Sequence, residues 1–237
     1  MLRKITRRAL ITVPMLLVLY LAVVIGWASA TVGEIVAGYP PAASGLTVRQ
    51  ADMLLKIEDP TFYGHKGLSL ADGQGFTTVS SALARDLFLF HGELAGIKGV
   101  LQSFYRGVFA CCKKIDLGRD TMALVLDASV SKDRQLAIYV AKVYMGTHAG
   151  VQVSGLANAA SAYFGKPLSA LTELELAGLV GMIKAPNQFH PLQHAAAFAG
   201  RRDKVSAVSA DSCKSAGWFD TAYMQCTPLE SLNTGAP

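Results

Sequence analysis

Charged residues are scarce in this sequence, since Asp, Glu, Lys and Arg together make up only 16% of the 237 residues. The formal net charge is +5, and four of the positive charges lie within residues 1–8. The rest of the chain is therefore close to neutral. A protein that binds nucleic acid through its phosphates needs a basic surface, so no nucleic acid partner is predicted.

Cysteine is also scarce, and its spacing argues against the usual metal sites. The chain has four cysteines, with no Cys-x-x-Cys pair and no Cys and His at ligand spacing, so no metal-ligating residue is predicted. In an oxidising compartment Cys213 and Cys226 can form a short-loop disulfide. Cys111 and Cys112 are adjacent, and we expect them to be buried as small apolar residues.

What the sequence does contain is a long apolar run near its N-terminus. No residue from Ala9 to Trp27 is charged, and about 20 apolar residues are enough to span a bilayer core. The basic residues before the run place the N-terminus in the cytoplasm and the remainder in a periplasm or its equivalent. We favour an uncleaved anchor. The alternative is a signal peptide: Ala28-Ser29-Ala30 fits a cleavage site, but a signal peptide has an apolar core of only about 7–15 residues.

The chain divides by composition into four segments. They are a basic tip with the membrane anchor (1–30), a linker rich in Gly, Pro and Ala (31–46), one mainly α-helical domain (47–208) and a polar C-terminal tail (209–237). Strand-like runs are few and no internal repeat is visible, so the predicted class is mainly α.

The spacing of apolar residues predicts most elements of the domain. A first helix ends at Glu58, because the residue before Pro60 avoids the helical region. A capping box of Thr172 and Glu175 begins another helix, which ends near Lys184. Further helices are predicted over 77–90, 121–130, 132–145 and 154–164, with a mobile glycine-rich loop over 64–76.

The segment KIEDPTFYGHKGLS, residues 56–69, raises the question of function. It places two adjacent acids, Glu58 and Asp59, just before two aromatic residues and a histidine. Taken alone, this pattern fits a solvated helix end as well as a catalytic carboxylate. Three later segments strengthen the catalytic interpretation because of the order in which they follow: 75–90 (GFTTVSSALARDLFLF), 122–150 and 160–191.

Together these segments resemble the peptidoglycan glycosyltransferases of glycosyltransferase family 51, found in class A penicillin-binding proteins and monofunctional transglycosylases. The resemblance covers roughly residues 47–205. The family's first motif, Glu-Asp followed by Phe, His and Gly, is matched by Glu58, Asp59, Phe62, His65 and Gly67. Its second motif is matched loosely by Gly75, Thr77, Thr78, Ser80, Arg85 and Asp86. Later elements are matched by Ser131-Lys132, by the run from Tyr163 to Lys166, and by Lys184.

The resemblance implies a lysozyme-like domain behind one transmembrane helix, on the periplasmic side of a bacterial inner membrane. It implies a hexosyltransferase of cell wall biogenesis and cell shape, which polymerises lipid II by attack of a sugar 4-hydroxyl on a lipid-pyrophosphate-linked donor. The implied partners are lipid II, the nascent glycan chain, the membrane and other cell-wall synthesis proteins. No cofactor is implied with certainty. A Mg²⁺ or Mn²⁺ ion at the donor pyrophosphate stays open, because such an ion leaves no ligand motif here.

The resemblance also assigns roles to individual residues. Glu58 matches the general base that takes the proton of the attacking hydroxyl, and Asp59 holds the local geometry. Cations and hydroxyls are needed where negative charge develops on the pyrophosphate, and Arg85 stands where the family uses Lys. The implied substrate-binding residues are Asp59, Phe62, His65, Thr77, Thr78, Arg85 and Lys184.

The chain departs from the family pattern at several positions. The family's second catalytic Glu falls on Arg119. A local shift of one residue would let Asp120 serve as the second acid. Neighbouring side chains on a helix point about 100° apart, so this shift would change the direction of the carboxylate. The family's Gln-Gln pair is Ser81-Ala82. Its Arg-Lys pair is absent in register, and Lys113 and Lys114 are only displaced substitutes. The family's Glu and Asn on either side of Tyr139 are Ala137 and Ala141 here. The loop from His65 to Gly75 is shorter than the family's, and residues 91–118 are predicted to be an insertion.

Two functions therefore stay open at this stage. The first is an active peptidoglycan glycosyltransferase that uses Glu58. The second is a catalytically impaired homologue that binds lipid II or scaffolds the cell-wall synthesis machinery. A glycan-cleaving enzyme with a lysozyme-like fold is a third interpretation, but the ordered motifs favour synthesis.

Overall fold

The computed structural model describes residues 2–39, 43–75, 77–90, 92–111 and 116–226. For residues 2–10 it describes the backbone only. The chain forms two compact units. The first unit consists of Met1–Pro40, Lys66–Leu68 and Ser80–Ser131, and the second of Pro41–His65, Ser69–Val79 and Lys132–Pro237.

The described elements are mostly helices. In chain order they are α1 (Leu2–Ala37), α2 (Val48–Glu58), α3 (Val79–Ala84), a π-helix (Arg85–Phe90), α4 (Gly96–Cys111), α5 (Leu117–Ser129), α6 (Lys132–Lys142), β1 (Tyr144–His148), β2 (Val151–Ser154), α7 (Leu156–Phe164), a 3₁₀ turn (Leu168–Ala170), α8 (Glu173–Ile183) and α9 (Ala195–Ser209).

The first unit is built around α1. By length and composition its segment Ile11–Ala37 is apolar enough to cross a membrane, with a mean hydropathy of 2.3. The C-terminal half of α1 also packs against α4, α5 and the π-helix. Trp27 lies against the rings of Phe88 and Tyr105, with centroids 5.7 and 5.0 Å away, and its indole N–H donates to the carbonyl of Lys98 at 3.0 Å. Since α1 continues to Ala37, it runs through the first part of the predicted linker.

The helix predicted over 77–90 is wrong in its second half, where the backbone widens into a π-helix over Arg85–Phe90. Gln102 of α4 stabilises this part of the chain, because its amide donates to the carbonyls of Phe88 and Gly92 at 2.9 Å each. Arg106 of the same helix donates to the carbonyl of Leu89. A long-range contact of this kind leaves no local sequence signal.

Two helices of the second unit have capping boxes at their N-terminal ends. Thr47 and Gln50 cap α2, and Thr172 and Glu175 cap α8 as predicted. Helix α8 packs along α9. They approach closely because α8 has glycine at position 178, where a Cβ would lie 2.3 Å from Cζ of Phe198.

The helix predicted over 132–145 is wrong at its C-terminal end, and the helix predicted over 154–164 is wrong at its N-terminal end. The chain there forms an antiparallel hairpin. Strands β1 and β2 pair with Thr147 opposite Gln152 and His148 opposite Val151. Ala149 and Gly150 both have positive φ, 50° and 80°. Two consecutive residues of this kind make the tight turn that suits a hairpin.

The C-terminal part of the second unit is closed by a disulfide. Cys213 and Cys226 are bonded, with their Cα atoms 5.8 Å apart, so the pairing considered from the sequence is present. Cys111 is exposed, and the expectation that it is buried is wrong. Cys112 lies outside the described residues. The division of the chain at residues 30, 46 and 208 stays a prediction.

Candidate active site

Glu58 is the last residue of α2, and Asp59 follows it as the C-cap. The helix stops there as the following proline requires, and the backbone N–H of Asp59 closes the last turn on the carbonyl of Leu55 at 2.8 Å. The two adjacent acids have different environments. The Asp59 side chain has no exposed surface, whereas Glu58 is only partly buried.

Asp59 holds the polypeptide around the site together. Its carboxylate lies 2.9 Å from Nε2 of His65 and accepts hydrogen bonds from the side-chain amide of Gln74 at 3.2 Å and the backbone N–H of Val79 at 2.9 Å. A buried carboxylate is stable only with such donors. Asp59 therefore fixes the segments before and after the glycine-rich loop relative to the end of α2, and it is not open to a substrate.

The pKa of the Glu58 carboxyl is raised from 4.5 to about 7. Burial is the main cause, and the charge of Asp59 adds to it. The positive charges of Arg201 and Lys184, together with the Tyr139 hydroxyl, act in the opposite direction. Tyr139 donates to Oε2 of Glu58 over 3.4 Å. A carboxyl group that titrates near neutral pH is suited to take up a proton during a reaction.

Two cations act on Glu58 from different elements. Lys184 directly follows α8 and is exposed over part of its surface, while Arg201 of α9 has only 6% of its surface exposed. Burial lowers the pKa of both groups, and the negative charge of Glu58 opposes this effect. The cluster combines a base with positive charge that can attract an anionic ligand.

Arg201 is a member of this cluster that sequence reasoning missed. A signal was present, since Arg201 interrupts a face of α9 on which Phe198, Val205 and Val208 are buried at helical spacing. A charged residue on such a face needs a partner inside the protein. The guanidinium donates to the carbonyl of Thr221 at 3.1 Å and lies over the Tyr223 ring, 5.0 Å from its centroid.

Other residues predicted to bind substrate are also placed in the second unit. Phe62 is 1% exposed and packs under the ammonium group of Lys132, which lies 4.5 Å from the ring centroid. Thr77 is exposed and Thr78 is buried, in the segment that leads into α3. Because Phe62 and Thr78 are buried, they are suited to support neighbouring groups. Thr77 is exposed and can contact solvent or a ligand. Their roles in binding stay predictions.

Arg85 and Asp120 belong to the first unit. Nε of Arg85 donates to Asp86 at 2.6 Å at the start of the π-helix, where the ion pair is partly exposed. Asp120 accepts hydrogen bonds from Nε and Nη2 of Arg119, at 3.0 and 2.7 Å. Asp120, predicted from the sequence as a second acid, is therefore engaged in an ion pair with its neighbour Arg119. Lys113 and Lys114 lie outside the described residues.

Within the described ranges, no group of three or more His, Cys, Asp and Glu side chains is arranged to hold a metal ion. A Mg²⁺ or Mn²⁺ ion at the donor pyrophosphate was considered from the sequence. It stays a prediction.

Comparison with known proteins gives one family match and several relatives. Residues 118–209 match the family model described as Transglycosylase. Penicillin-binding protein 1B of Vibrio cholerae is 34% identical over 168 residues, which is 65% of this chain and 19% of the relative. Penicillin-binding protein 1B of Escherichia coli is 30% identical over 176 residues, 68% of this chain and 19% of the relative. Penicillin-binding protein 1F of Bacillus subtilis is 30% identical over 167 residues, which is 69% of this chain and 22% of the relative.

The chain belongs to the transglycosylase family, glycosyltransferase family 51. It spans about a fifth of the length of these curated relatives. The mainly α, lysozyme-like class implied by the resemblance is confirmed. The family is one of glycosyltransferases of peptidoglycan synthesis, and the apolar helix α1 together with the relatives indicates a membrane-bound protein.

Proposed function

We propose that this protein is a peptidoglycan glycosyltransferase that polymerises lipid II, with Glu58 as its general base. The observation that carries the proposal is the environment of Glu58 in a chain of this family. Burial raises the pKa of its carboxyl to about 7, and two cations and a tyrosine hydroxyl surround it. Glu58 is therefore partly deprotonated at neutral pH and holds a proton well once it has taken one.

In the proposed reaction the 4-hydroxyl of an acceptor sugar loses its proton to Glu58 as its oxygen bonds to the anomeric carbon of the donor. The bond from that carbon to the pyrophosphate oxygen breaks, and the lipid pyrophosphate leaves with the electron pair. Glu58 then releases the proton to solvent. A divalent ion, where bound, would neutralise charge on the pyrophosphate.

The cations of the chain have two roles in this scheme. Lys184 is placed to attract the negative charge of the donor, because it lies near Glu58 and keeps part of its surface in solvent. Arg201 is buried and acts on Glu58 itself as a positioning residue. The exposed Thr77 is a further proposed donor contact, and the buried Thr78 and Phe62 support the site together with His65 and Asp59. A donor contact of Arg85 rests on the sequence resemblance alone.

The proposed location is the outer side of a bacterial inner membrane, with α1 as a single-pass anchor. Two observations support it. Basic residues precede the apolar segment of α1, as is usual for a cytoplasmic N-terminus. The second unit contains a disulfide, and disulfides persist in oxidising compartments such as the periplasm. Lipid II and the nascent glycan are the proposed partners, with other cell-wall synthesis proteins in addition.

A specific observation favours the second candidate function, a homologue that binds lipid II without polymerising it. Arg119, which the sequence resemblance aligns with the second catalytic Glu, forms an ion pair with Asp120 at 2.7 Å. In this arrangement Asp120 is already neutralised and is less able to stabilise a developing positive charge. Glu58 then works alone, and loss of one catalytic acid lowers a rate by several powers of ten.

The experiment that separates the two functions uses the full chain in detergent with labelled lipid II, with and without Mg²⁺ or Mn²⁺. We expect glycan polymer from the wild type and none from Glu58→Gln, with lipid II binding retained in both. The control is Glu173→Gln, which makes the same chemical change at an exposed ion pair on α8. Lipid II binding without polymer in the wild type would establish the second function, and unchanged polymer from Glu58→Gln would exclude Glu58 as the base.

A further inference from the structure

The C-terminal loop, residues 213–226, is an ordered element of the second unit. The disulfide between Cys213 and Cys226 closes it. Inside the loop the carboxylate of Asp220 accepts hydrogen bonds from the backbone N–H groups of Ala216 and Met224, each at 3.0 Å. The hydroxyl of Ser215 donates to the carbonyl of Gly217 at 2.6 Å. The loop therefore has a defined conformation that the crosslink and these internal bonds maintain together.

The C-terminal loop pairs with the glycine segment, residues 73–75. The N–H of Gly73 donates to the carbonyl of Gly217 at 3.1 Å, and the N–H of Gly75 donates to the carbonyl of Trp218 at 3.0 Å. The indole N–H of Trp218 donates back to the carbonyl of Gly75 at 2.7 Å. These bonds hold Gln74, which lies between the two glycines and donates to Asp59 at 3.2 Å.

Only glycine suits this pairing. Gly73 has a φ of +76°, and a Cβ there would lie 3.1 Å from both Cβ of Ser215 and Cε1 of Tyr223. Glycine accepts this conformation without strain, but it also makes the free segment highly flexible. The glycine segment therefore depends on the C-terminal loop to keep Gln74 in place.

The same loop reaches Glu58 by a second route. The carbonyl of Thr221 accepts a hydrogen bond from Arg201, and the Tyr223 ring lies beneath the guanidinium. The Tyr223 hydroxyl donates to the carbonyl of Ile57, the residue before Glu58, at 3.4 Å. The loop thus contacts both the cation that acts on Glu58 and the backbone that carries Glu58.

We propose that the C-terminal loop is a positioning element of the Glu58 site, which holds Arg201 beside Glu58 and Gln74 against Asp59, and that the Cys213–Cys226 disulfide is required for this. Opening the crosslink increases the number of conformations open to the loop, so that both contacts loosen together. The catalytic part of this proposal rests on the proposed function, while its structural part is independent of it.

The test compares the full-length double variant Cys213→Ser/Cys226→Ser with the wild type in detergent. Hydrogen exchange is measured by mass spectrometry in peptides that cover residues 57–59 and 73–75. We expect exchange there to become about tenfold faster or more, with α8 unchanged. Cys111→Ser is the matched control, since it makes the same chemical change at an exposed cysteine of the first unit. Unchanged exchange in 73–75 in a folded double variant would overturn the proposal.

The catalytic readout is the pH profile of lipid II polymerisation. Positive charge on Arg201 lowers the pKa of Glu58, so loosening Arg201 moves the acid limb of kcat to higher pH. A general loss of stability has no reason to move this limb. We expect the same movement in Arg201→Gln, and a return towards the wild-type limb in Arg201→Lys, which keeps the charge. An unmoved acid limb in an active double variant would contradict the catalytic part.

Trp218→Phe keeps the proposal testable if the double variant does not fold. It retains the disulfide and the aromatic contact with Phe219, whose ring centroid is 4.4 Å away, and removes the indole donor to Gly75. We expect faster exchange in 73–75 and no change elsewhere, and equal exchange would count against the proposal. If the wild type makes no polymer, the proposed function fails, while the exchange measurements still decide the positioning role.

Discussion

The hydroxyl of Tyr139 donates a hydrogen bond to Oε2 of Glu58 over 3.4 Å, and so joins the middle of α6 to the end of α2. The sequence resemblance aligns Tyr139 with a family tyrosine that stands between an acid and an amide, where this chain has Ala137 and Ala141. Its hydroxyl lowers the pKa of Glu58 against the stronger effect of burial. Tyr139 therefore helps to keep the proposed base usable at neutral pH.

This contact predicts the effect of Tyr139→Phe. The variant removes one donor to the ionised carboxylate while it keeps the buried ring. We expect the acid limb of the polymerisation rate to move to higher pH, with the rate well above neutral pH changed by less than about threefold. A profile that keeps its position would show that the hydroxyl does not act on the base.

The wild-type enzyme should lose activity on acidification with a midpoint near pH 7. In the proposed reaction Glu58 must be ionised to accept the proton of the acceptor sugar, and burial raises the pKa of its carboxyl to about 7. The measurement is kcat/KM for lipid II between pH 5 and 9, which reports groups of the free enzyme. A midpoint near 4.5, the ordinary value for Glu, would show that Glu58 is not the group that limits the rate.

Glu58→Gln should stabilise the protein at high pH. Below pH 4.5 the carboxyl is protonated in both the folded and the unfolded chain, whereas above pH 7 the folded protein carries a charge that its surroundings disfavour. The wild type therefore loses stability as pH rises through this window, by up to about 3 kcal/mol. We expect the variant to be more stable by roughly 1–3 kcal/mol at pH 8 and equal at pH 4, measured by thermal unfolding.

Asp59→Asn should destabilise the second unit by about 2–4 kcal/mol. The buried carboxylate accepts from Gln74 and Val79 and lies beside His65, and an amide replaces one acceptor oxygen with a donor that faces other donors. Asp52→Asn provides the control, because Asp52 is an exposed residue of the same helix. Equal unfolding midpoints for the two variants would show that the hydrogen-bonded carboxylate of Asp59 contributes little.

Gly178→Ala should separate α8 from α9. The added methyl group would lie 2.3 Å from the Phe198 ring, and overpacking of this kind costs about 1–3 kcal/mol. Gly200→Ala on α9 is the matched control, because its Cβ meets nothing within 4 Å. That control should stabilise the helix by up to about 1 kcal/mol. A stabilised Gly178→Ala would mean that the two helices can move apart freely.

The residues of the candidate site were only partly visible in the sequence. The motif around Glu58, its helix end before Pro60 and the position of Lys184 after a capped helix all depend on neighbouring residues, and the structure places Glu58 and Lys184 close enough for their charges to interact. Arg201 and Tyr223 were missed because they reach the site from distant parts of the chain. The hairpin was missed because its short strands adjoin helical patterns.

By itself, the sequence determined the features that arise from contacts between near neighbours. These are the apolar helix at the N-terminus, the capping box of Thr172 and Glu175, and the end of α2 at Glu58. Only the tertiary structure decided how Glu58 and Asp59 differ in burial and in their charged neighbours. It buries Asp59 among fixed donors and leaves Glu58 partly open beside Arg201, which the C-terminal loop holds in place. Burial and charge at a carboxyl group depend on residues far along the chain, so no local pattern encodes them.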